Sequence, residues 1–510
     1  MSSVSKYKEI SPAEWFRRNK SIAGFDNPAR AIYTAIREMV ENSLDACEEG
    51  GILPEILVWV RSVEGNIYQI YVADNGIGVP EKVVPKAFAK LLVGTKYTLK
   101  QSRGTFGLGG KMAIMYGQIT TGKPLKVITG VDGKKAHYFL LKIDIQKNEP
   151  IILKKKEITL KDNWRGTIVS FQIVGDWMRA KSKVIQYFKN TGIVAPYANI
   201  TFIDPDGVLY FFRRTTTALP SKPKEIKPHP YGVDIETLNR MIKATKAKNL
   251  VKFMMENFHR VGRKKALDFI KHCGLDPEKN PKKLTDKEKR KMVVEMKSFK
   301  FLPPTAESLS PLGEEILLKG IEKELQPEKA KVVQRPPRSY MGHPFIVEVG
   351  LAYGGKIPPA SDGKYLLFRF ANRIPLLYDE ANDVAMSVIK EDINWSDYMI
   401  GRDAPLAIIV HICSTKIPYK TAGKEYVADI PEIRREIKLG IQECARELRH
   451  YLSHLKRKEF AEKRFSILSR LIDKFVKSLV QINKTQKRIK REYVNDQLLK
   501  EILINKIKVE

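Results

Sequence analysis

Apolar positions along the chain switch between two rhythms, and the switches mark its parts. After the start signal Asp26-Asn27-Pro28, the residues Ile32, Ile36, Met39 and Val40 recur at helical spacing and predict a helix. Strand-length apolar runs follow at 56–60 and 67–72, with turn residues between them. Further strands are predicted near 125–129, 137–145 and 167–173. A strand-rich layer covered by several helices implies an α+β sandwich.

The rhythm then breaks. The stretch 216–230, TTALPSKPKEIKPHP, is rich in Pro and Lys and reads as a linker. Short basic helices are predicted from Asp234 to about Ser298, and a second break, LPPTAESLSP, falls at 302–311. A mixed strand and helix segment continues to about Asp429. From Pro431 a long charged helix is predicted, to Leu471 or beyond. The last forty residues alternate Ile, Leu and Val with Lys and Arg, as an amphipathic helix or a partner-docking tail would. The expected division is 1–19, an open N-terminal arm with Tyr7, Trp15 and Phe16 as anchors; 20–228, an α/β sandwich; 229–306, a small helical domain; 307–470, an α/β domain with the long helix; and 471–510, the tail.

Charge changes the picture next. The 510 residues carry 90 Lys+Arg against 58 Asp+Glu, a formal +32. Such a field draws polyanions and makes their binding salt-sensitive, although a solvated lysine-rich surface would give the same count. Four cysteines, Cys47, Cys273, Cys413 and Cys444, stand far apart with no C-x-x-C pair. That spacing opposes a zinc ribbon or a disulfide scaffold and favours a reducing compartment. Met1 is followed by polar and charged residues, and no apolar run approaches the ~20 residues a bilayer span needs. A soluble cytoplasmic protein without a membrane partner is expected.

Three motifs carry candidate chemistry. In Glu38-Met-Val-Glu41-Asn42-Ser-Leu-Asp45-Ala46, the residues Glu38, Asn42 and Asp45 share one helical stripe, with Ile32, Ile36, Met39 and Val40 expected on the opposite face. A carboxylate one turn from a carboxamide suits a general base beside an oxygen ligand for Mg²⁺. By itself the stripe is as readily a solvated acidic face. Asp74-Asn-Gly76-Ile-Gly78 follows a strand; its glycines permit a sharp turn and close approach to a ligand, or mark a plain Asp-Gly turn. In Arg103-Gly104-Thr105-Phe106-Gly107-Leu108-Gly109-Gly110-Lys111, four glycines allow backbone N–H groups to converge on phosphate, and MAIMYG can continue as a helix behind it. This is not the P-loop pattern, because Met112 follows the lysine.

In order and spacing the three motifs resemble those of the GHKL ATPases, with boxes E-x-x-x-N-x-x-D-A and D-x-G-x-G and a Gly-rich lid. The resemblance implies a GHKL (Bergerat) sandwich with ATP and Mg²⁺ as cofactors. It makes Glu38 the general base, Asn42 the Mg²⁺ ligand and Asp74 the reader of adenine N6, supported by Thr167 after Gly166. Asp45, Gly76 and Gly78 line the nucleotide, residues Gly104 to Lys111 wrap the triphosphate, and the Gly94-Thr95-Lys96 turn lies beside it.

The rest of the chain resembles the B subunits of archaeal DNA topoisomerase VI, a type IIB enzyme, over nearly its whole length. The basic module with Arg260-Val-Gly262-Arg263-Lys264-Lys265 is similar to a helix–two-turn–helix domain, and Arg260, Arg263, Lys264 and Lys265 are candidate DNA contacts. Phe370-Ala-Asn372-Arg373-Ile374-Pro375 resembles the F-x-N-R-x-P element of GHKL transducers, and Thr421-Ala-Gly423-Lys424 resembles the switch loop whose lysine reaches the γ-phosphate. The implied transducer contains a left-handed βαβ crossover. The implied partners are double-stranded DNA, an ATP-dependent second copy that exchanges the 1–19 arm, and a DNA-cleaving A subunit in an A2B2 heterotetramer. Two other classes stand beside this: a GHKL repair or chaperone ATPase without strand passage, opposed by the +32 charge, and a scaffold with a dead pocket, opposed by Glu38 and Asn42.

Overall fold

A computed structural model describes residues 10–20, 24–94, 99–104, 108–160, 162–420 and 424–486. Tyr7, Thr95, Lys96, Thr105, Phe106 and Gly107, and the tail beyond 486, lie outside the described residues.

The chain opens with α1 (Pro12–Arg18), whose Ser11 cap accepts from the Glu14 amide at 3.1 Å. The expected open arm is, from residue 12, a helix docked on its own domain. Phe16 is buried and meets Phe25 edge-on, and Phe25 stacks on Tyr116, while Trp15 remains exposed. Helix α2 (Pro28–Gly50) starts as predicted: Asn27 caps the Arg30 amide at 2.8 Å, and Pro28 occupies the first turn.

Next come β1 (Glu55–Glu64), β2 (Ile67–Asp74), α3 (Val84–Ala89), α4 (Gly109–Thr121), β3 (Leu125–Gly130), β4 (Lys135–Asp144), β5 (Glu149–Thr159), β6 (Gly166–Val174), α5 (Trp177–Val194), β7 (Asn199–Ile203) and β8 (Leu209–Phe212). Their strands form one sheet in the order β5-β4-β3-β6-β2-β1-β7-β8. Neighbours are antiparallel except β1 and β7. In β1 the residues Ile56, Val58 and Val60 point into the core under α2, α4 and α5, and Leu57 and Trp59 point outward. Strands β5, β7 and β8 were not foreseen. β5 carries Lys154, Lys155 and Lys156 and is exposed along almost its whole length, so it lacks the half-buried alternation that betrays a strand.

The predicted linker has no regular element, but it is laid on the protein: the Lys224 amide donates to Glu307 and the Ile226 amide to Leu99. Beyond it, α6 (Ile235–Ala244), α7 (Leu250–Asn257), α8 (Arg263–His272) and α9 (Asp286–Ser298) enclose a separate core around Leu238, Phe253, Phe269, Met292 and Phe301. The start of α9 is a capping box between Thr285 and Glu288.

The third part runs through α10 (Gly313–Leu325), β9 (Lys329–Gln334), β10 (Arg338–Tyr340), β11 (His343–Tyr353), β12 (Leu366–Ala371), β13 (Ile374–Pro375), α11 (Val384–Ser387), β14 (Leu406–Ser414) and α12 (Pro431–Gln486). Its sheet runs β10-β11-β14-β12-β13, with β9 also on β11 and with β12 parallel to β14. Helix α10 meets α5 at backbone distance, because a Cβ on Gly320 would overlap the Ile193 carbonyl. The hydrophobic core is therefore continuous from the first sheet to the second. These elements belong to one compact unit, which takes the chain to 394 and 402–444. A second unit holds 395–401 and α12 from 445; there Phe460, Ile467, Leu471 and Phe475 are exposed on the helix.

Removing the Phe16 ring is expected to destabilise the sandwich by about 3–5 kcal/mol, since the ring fills the core and its loss leaves a cavity. Trp15→Ala should stay within about 0.5 kcal/mol. Denaturant unfolding followed by the near-ultraviolet signal of this domain checks both.

Candidate nucleotide site

The residues of the three motifs meet around a cavity of about 490 Å³, lined by Met39, Asn42, Asp45 and Ala46 of α2, by the turn 77–80, and by Gly94, Gly110 and Lys111. That volume suits a drug-sized ligand. Met39, expected on the apolar face, is one of its walls. Helix α2 keeps the expected faces: Ile32, Ile36, Met39 and Val40 are in the core, and Asn42, Asp45 and Ala46 form the side that opens to the cavity.

One wall is set by glycines. A Cβ on Gly109 would overlap the Glu38 carboxylate, and one on Gly110 would come within 2.7 Å of Asn42 Nδ2. Only glycine lets the first turn of α4 reach both residues. The first amides of that 13-residue helix have no intrahelical acceptor and so are available as donors for an anion. Lys111 is buried, and its Nζ donates to the Val93 carbonyl. Burial pulls its pKa down to about 8.

Asp74 ends β2, just before the turn 77–80 that lines the cavity. Its Oδ1 accepts from the Gly76 amide at 3.0 Å and the Thr167 amide at 3.2 Å, and its Oδ2 accepts from Ser43 Oγ at 2.9 Å. Burial raises the pKa of this carboxyl, against the three donors. Gly166 has a φ of +138°, and a side chain there would overlap the Asp74 carbonyl. The glycine before Thr167 is what lets β6 lie against Asp74.

Sequence reasoning missed the arginines that stabilise the acids of α2. Arg37 donates to Glu38 Oε1 at 2.8 Å, and its Nε lies 3.6 Å from Glu41. Burial, then the neighbouring Glu38, pushes the Glu41 carboxyl up to about 7; Arg37, Lys424 and Arg103 act against that. Arg103, the residue before the glycine loop, is fully buried between Asp45 at 2.8 Å and Glu48 at 2.5 Å. A basic residue next to a run of glycines was the available signal, but nothing local says that it turns inward.

From the third part, the loop after β14 reaches the same acids. Residues 421–423 lie outside the described residues, and Lys424 follows with a φ of +56°. Its charge acts on Glu41, Glu425 pairs with Arg30 of α2, and Tyr419 is buried among Glu41, Arg37 and Glu38. Of the other predicted residues, Asp45 lines the cavity and pairs with Arg103, while Gly104 accepts from Ser102 Oγ. Gly76 and Gly78 form the turn after β2, and Leu108 precedes α4.

The four predicted basic residues of the helical module are not equivalent. Arg263, Lys264 and Lys265 occupy the first turn of α8, where the helix dipole disfavours cations. Arg260 is exposed and donates one hydrogen bond to the Pro303 carbonyl at 2.9 Å, and Lys265 lies over the Phe299 ring at 5.2 Å. Arg263 and Lys264 are exposed.

A buried trio, Glu348, His411 and Cys413, offers metal-ligand atom types. His411 Nδ1 donates to Glu348 at 2.7 Å, and its Nε2 accepts from the Arg373 amide at 3.0 Å. With both ring nitrogens so engaged, the trio is a hydrogen-bonded strut, and the Glu348 carboxylate also accepts from the first amides of α10. Among the described residues no helix is long and apolar enough to cross a membrane.

Comparison with known proteins agrees with this layout. Residues 30–167 match the family model "Histidine kinase-, DNA gyrase B-, and HSP90-like ATPase", and residues 304–464 match "Topoisomerase VI B subunit, transducer". The B subunit of type 2 DNA topoisomerase 6 from Metallosphaera sedula is 47% identical over 94% of this chain and 91% of that one. Its counterpart in Sulfurisphaera tokodaii is 43% identical over 99% and 97%. Among solved structures, the 43K ATPase domain of Thermus thermophilus gyrase B aligns at 12% identity with a TM-score of 0.42, over 90% of this chain and 98% of that one.

The Glu41 environment makes stability depend on pH. A carboxyl whose folded pKa stands above its unfolded value favours the fold while protonated, and that advantage is lost as pH rises through about 7. Relative to wild type, Glu41→Gln should therefore gain thermal stability as pH rises from about 5, with the gain levelling off near pH 7. A difference in melting temperature that stays flat across this range would mean that Arg37 and Lys424 keep Glu41 ionised throughout.

Proposed function

The chain belongs to the family of type 2 DNA topoisomerase 6 B subunits, as the ATP-binding component of a type II topoisomerase; from this premise we propose how its residues divide the work. The observation that carries the reading is the contact of Gly109 and Gly110 with Glu38 and Asn42, which brings a helix start against a base and an oxygen ligand, with Gly110 and Asn42 lining the cavity.

The triphosphate lies against the first amides of α4, within the loop from Gly104 to Lys111 that includes Thr105, Phe106 and Gly107, with Thr95 and Lys96 beside it. Asp74 accepts a hydrogen bond from adenine N6, with Thr167 next to it. The Asn42 side-chain oxygen holds Mg²⁺, which neutralises phosphate charge when bound. Glu38, paired with Arg37 at 2.8 Å, takes the proton of the attacking water. Lys424 reaches the γ-phosphate from the transducer, so that loss of the phosphate releases a charge contact and lets that domain move.

ATP draws two copies together through the first twenty residues and the nucleotide domain, and the gate so formed controls passage of one duplex through a break made by a separate A subunit. The exposed Arg263 and Lys264 at the start of α8 hold duplex DNA by its phosphates. The tail at 471–510 docks the cleaving partner.

Glu38→Gln should retain ATP binding and lose hydrolysis by about 100- to 10,000-fold, because an amide cannot accept the proton. Phosphate release and nucleotide titration measure the two effects, and turnover near the wild-type rate would remove Glu38 from the role of base. Replacing Arg263 and Lys264 together by Ala should weaken duplex binding and flatten its salt slope by roughly 0.9 per lost contact, with sequence preference unchanged. An unaltered slope would place the DNA contact elsewhere.

A further inference from the structure

The turn between β12 and β13 is a two-residue hairpin built of Asn372 and Arg373, with φ of +49° and +66°. Such turns favour Asn-Gly, because both positions need the left-handed region. Asn fits the first position, whereas an arginine at the second holds its backbone where glycine would be at ease. A side chain kept at such a cost points to a task for that side chain.

Both side chains leave their own domain and reach the root of the glycine loop. Asn372 Nδ2 donates to the Ser102 carbonyl at 3.0 Å, while its Oδ1 accepts from the Ser414 amide at 2.9 Å. Arg373 donates to Ser310 Oγ at 3.1 Å and pairs with Glu48 Oε2 at 3.1 Å. The same Glu48 oxygen accepts from Arg103 NH1 at 2.8 Å, and the other oxygen accepts from Arg103 NH2 and Tyr197. One buried carboxylate at the end of α2 is therefore shared by an arginine of the loop and an arginine of the transducer. The Nε atoms of both arginines are buried with no acceptor among the described residues, so neither is fully satisfied where it stands. Beside them, Gln101 exchanges hydrogen bonds with Ser308 and Ser310 at the start of the transducer.

We propose that Arg373, through Glu48, is the positioning residue that transmits movement of the nucleotide loop to the transducer. Resting on the ATP-driven topoisomerase reading above, this adds a second link, separate from Lys424. A shift of Arg103 on nucleotide binding or release changes how much of Glu48 remains for Arg373, and the hairpin follows. Such a joint sets the yield of strand passage per ATP rather than the rate of phosphate cleavage.

The test compares wild type, Arg373→Gly and Arg373→Lys in the complete complex with the DNA-cleaving partner, measuring ATP consumed and supercoils removed in the same reaction. Arg373→Gly should hydrolyse ATP within about two-fold of wild type and remove about ten-fold fewer supercoils per ATP, within the usual range of coupling between sites. Arg373→Lys, which keeps the charge, should recover part of that yield. A hairpin that merely supports the fold predicts the reverse order, because Gly suits a φ of +66° better than either cation. Equal yields in wild type and Arg373→Gly would overturn the proposal. So would failure of Arg373→Gly to fold, since the contact would then hold the domain together rather than transmit. A wild-type complex that removes no supercoils with ATP would instead overturn the underlying reading before any variant is compared.

Discussion

Helix α2 carries four acids into the interior, Glu38 and Glu41 buried and Asp45 and Glu48 half-buried, and the architecture around it follows from that. A charge taken from water costs several kcal/mol unless a partner with good geometry meets it. Each partner here comes from a different stretch of chain: Arg37 from the helix itself, Arg103 from the root of the glycine loop, Arg373 from the transducer hairpin. The ion pairs therefore fix two distant segments, the root of the glycine loop and the transducer hairpin, against one helix. Removing one partner would leave a buried charge unmatched, which costs more than the pair contributes.

The same crowding explains why glycine recurs at the site. Gly109 and Gly110 stand where any Cβ would strike Glu38 or Asn42, and Gly166 stands where one would strike the Asp74 carbonyl. These residues let backbone donors and acceptors approach functional side chains, so their role is contact as much as flexibility. The Glu348–His411 strut gives the transducer a related rigidity: it ties the start of α10 to the Arg373 amide, and so holds the strained hairpin from behind.

A continuous core makes such coupling physically reasonable. α5 and α10 meet at backbone distance, and apolar residues run without a break from the first sheet to the second. Close-packed interiors change by discrete repacking rather than by smooth deformation. A switch at the nucleotide pocket therefore has a solid path to the transducer sheet. The helical module, with its separate core, is joined to the rest mainly through extended segments.

Local signals were enough for much of this protein. The Asn27-Pro28 start and the strand-length apolar runs of β1 and β2 were legible because caps and periodicity act within a few residues. Motif spacing was likewise enough to indicate the family. What the sequence could not show depended on distant partners. It placed Met39 on the core face, where it is buried, but could not show that the same side chain also borders the pocket. It left Phe16 in an open arm, yet a nearby cluster with Phe25 and Tyr116 buried it. It grouped four cations, of which Pro303 and Phe299 engage two. It gave no role to Arg103 or Arg373, because a buried ion pair is a property of two segments, here separated by 270 residues between Ser102 and Asn372, that only the tertiary fold brings together.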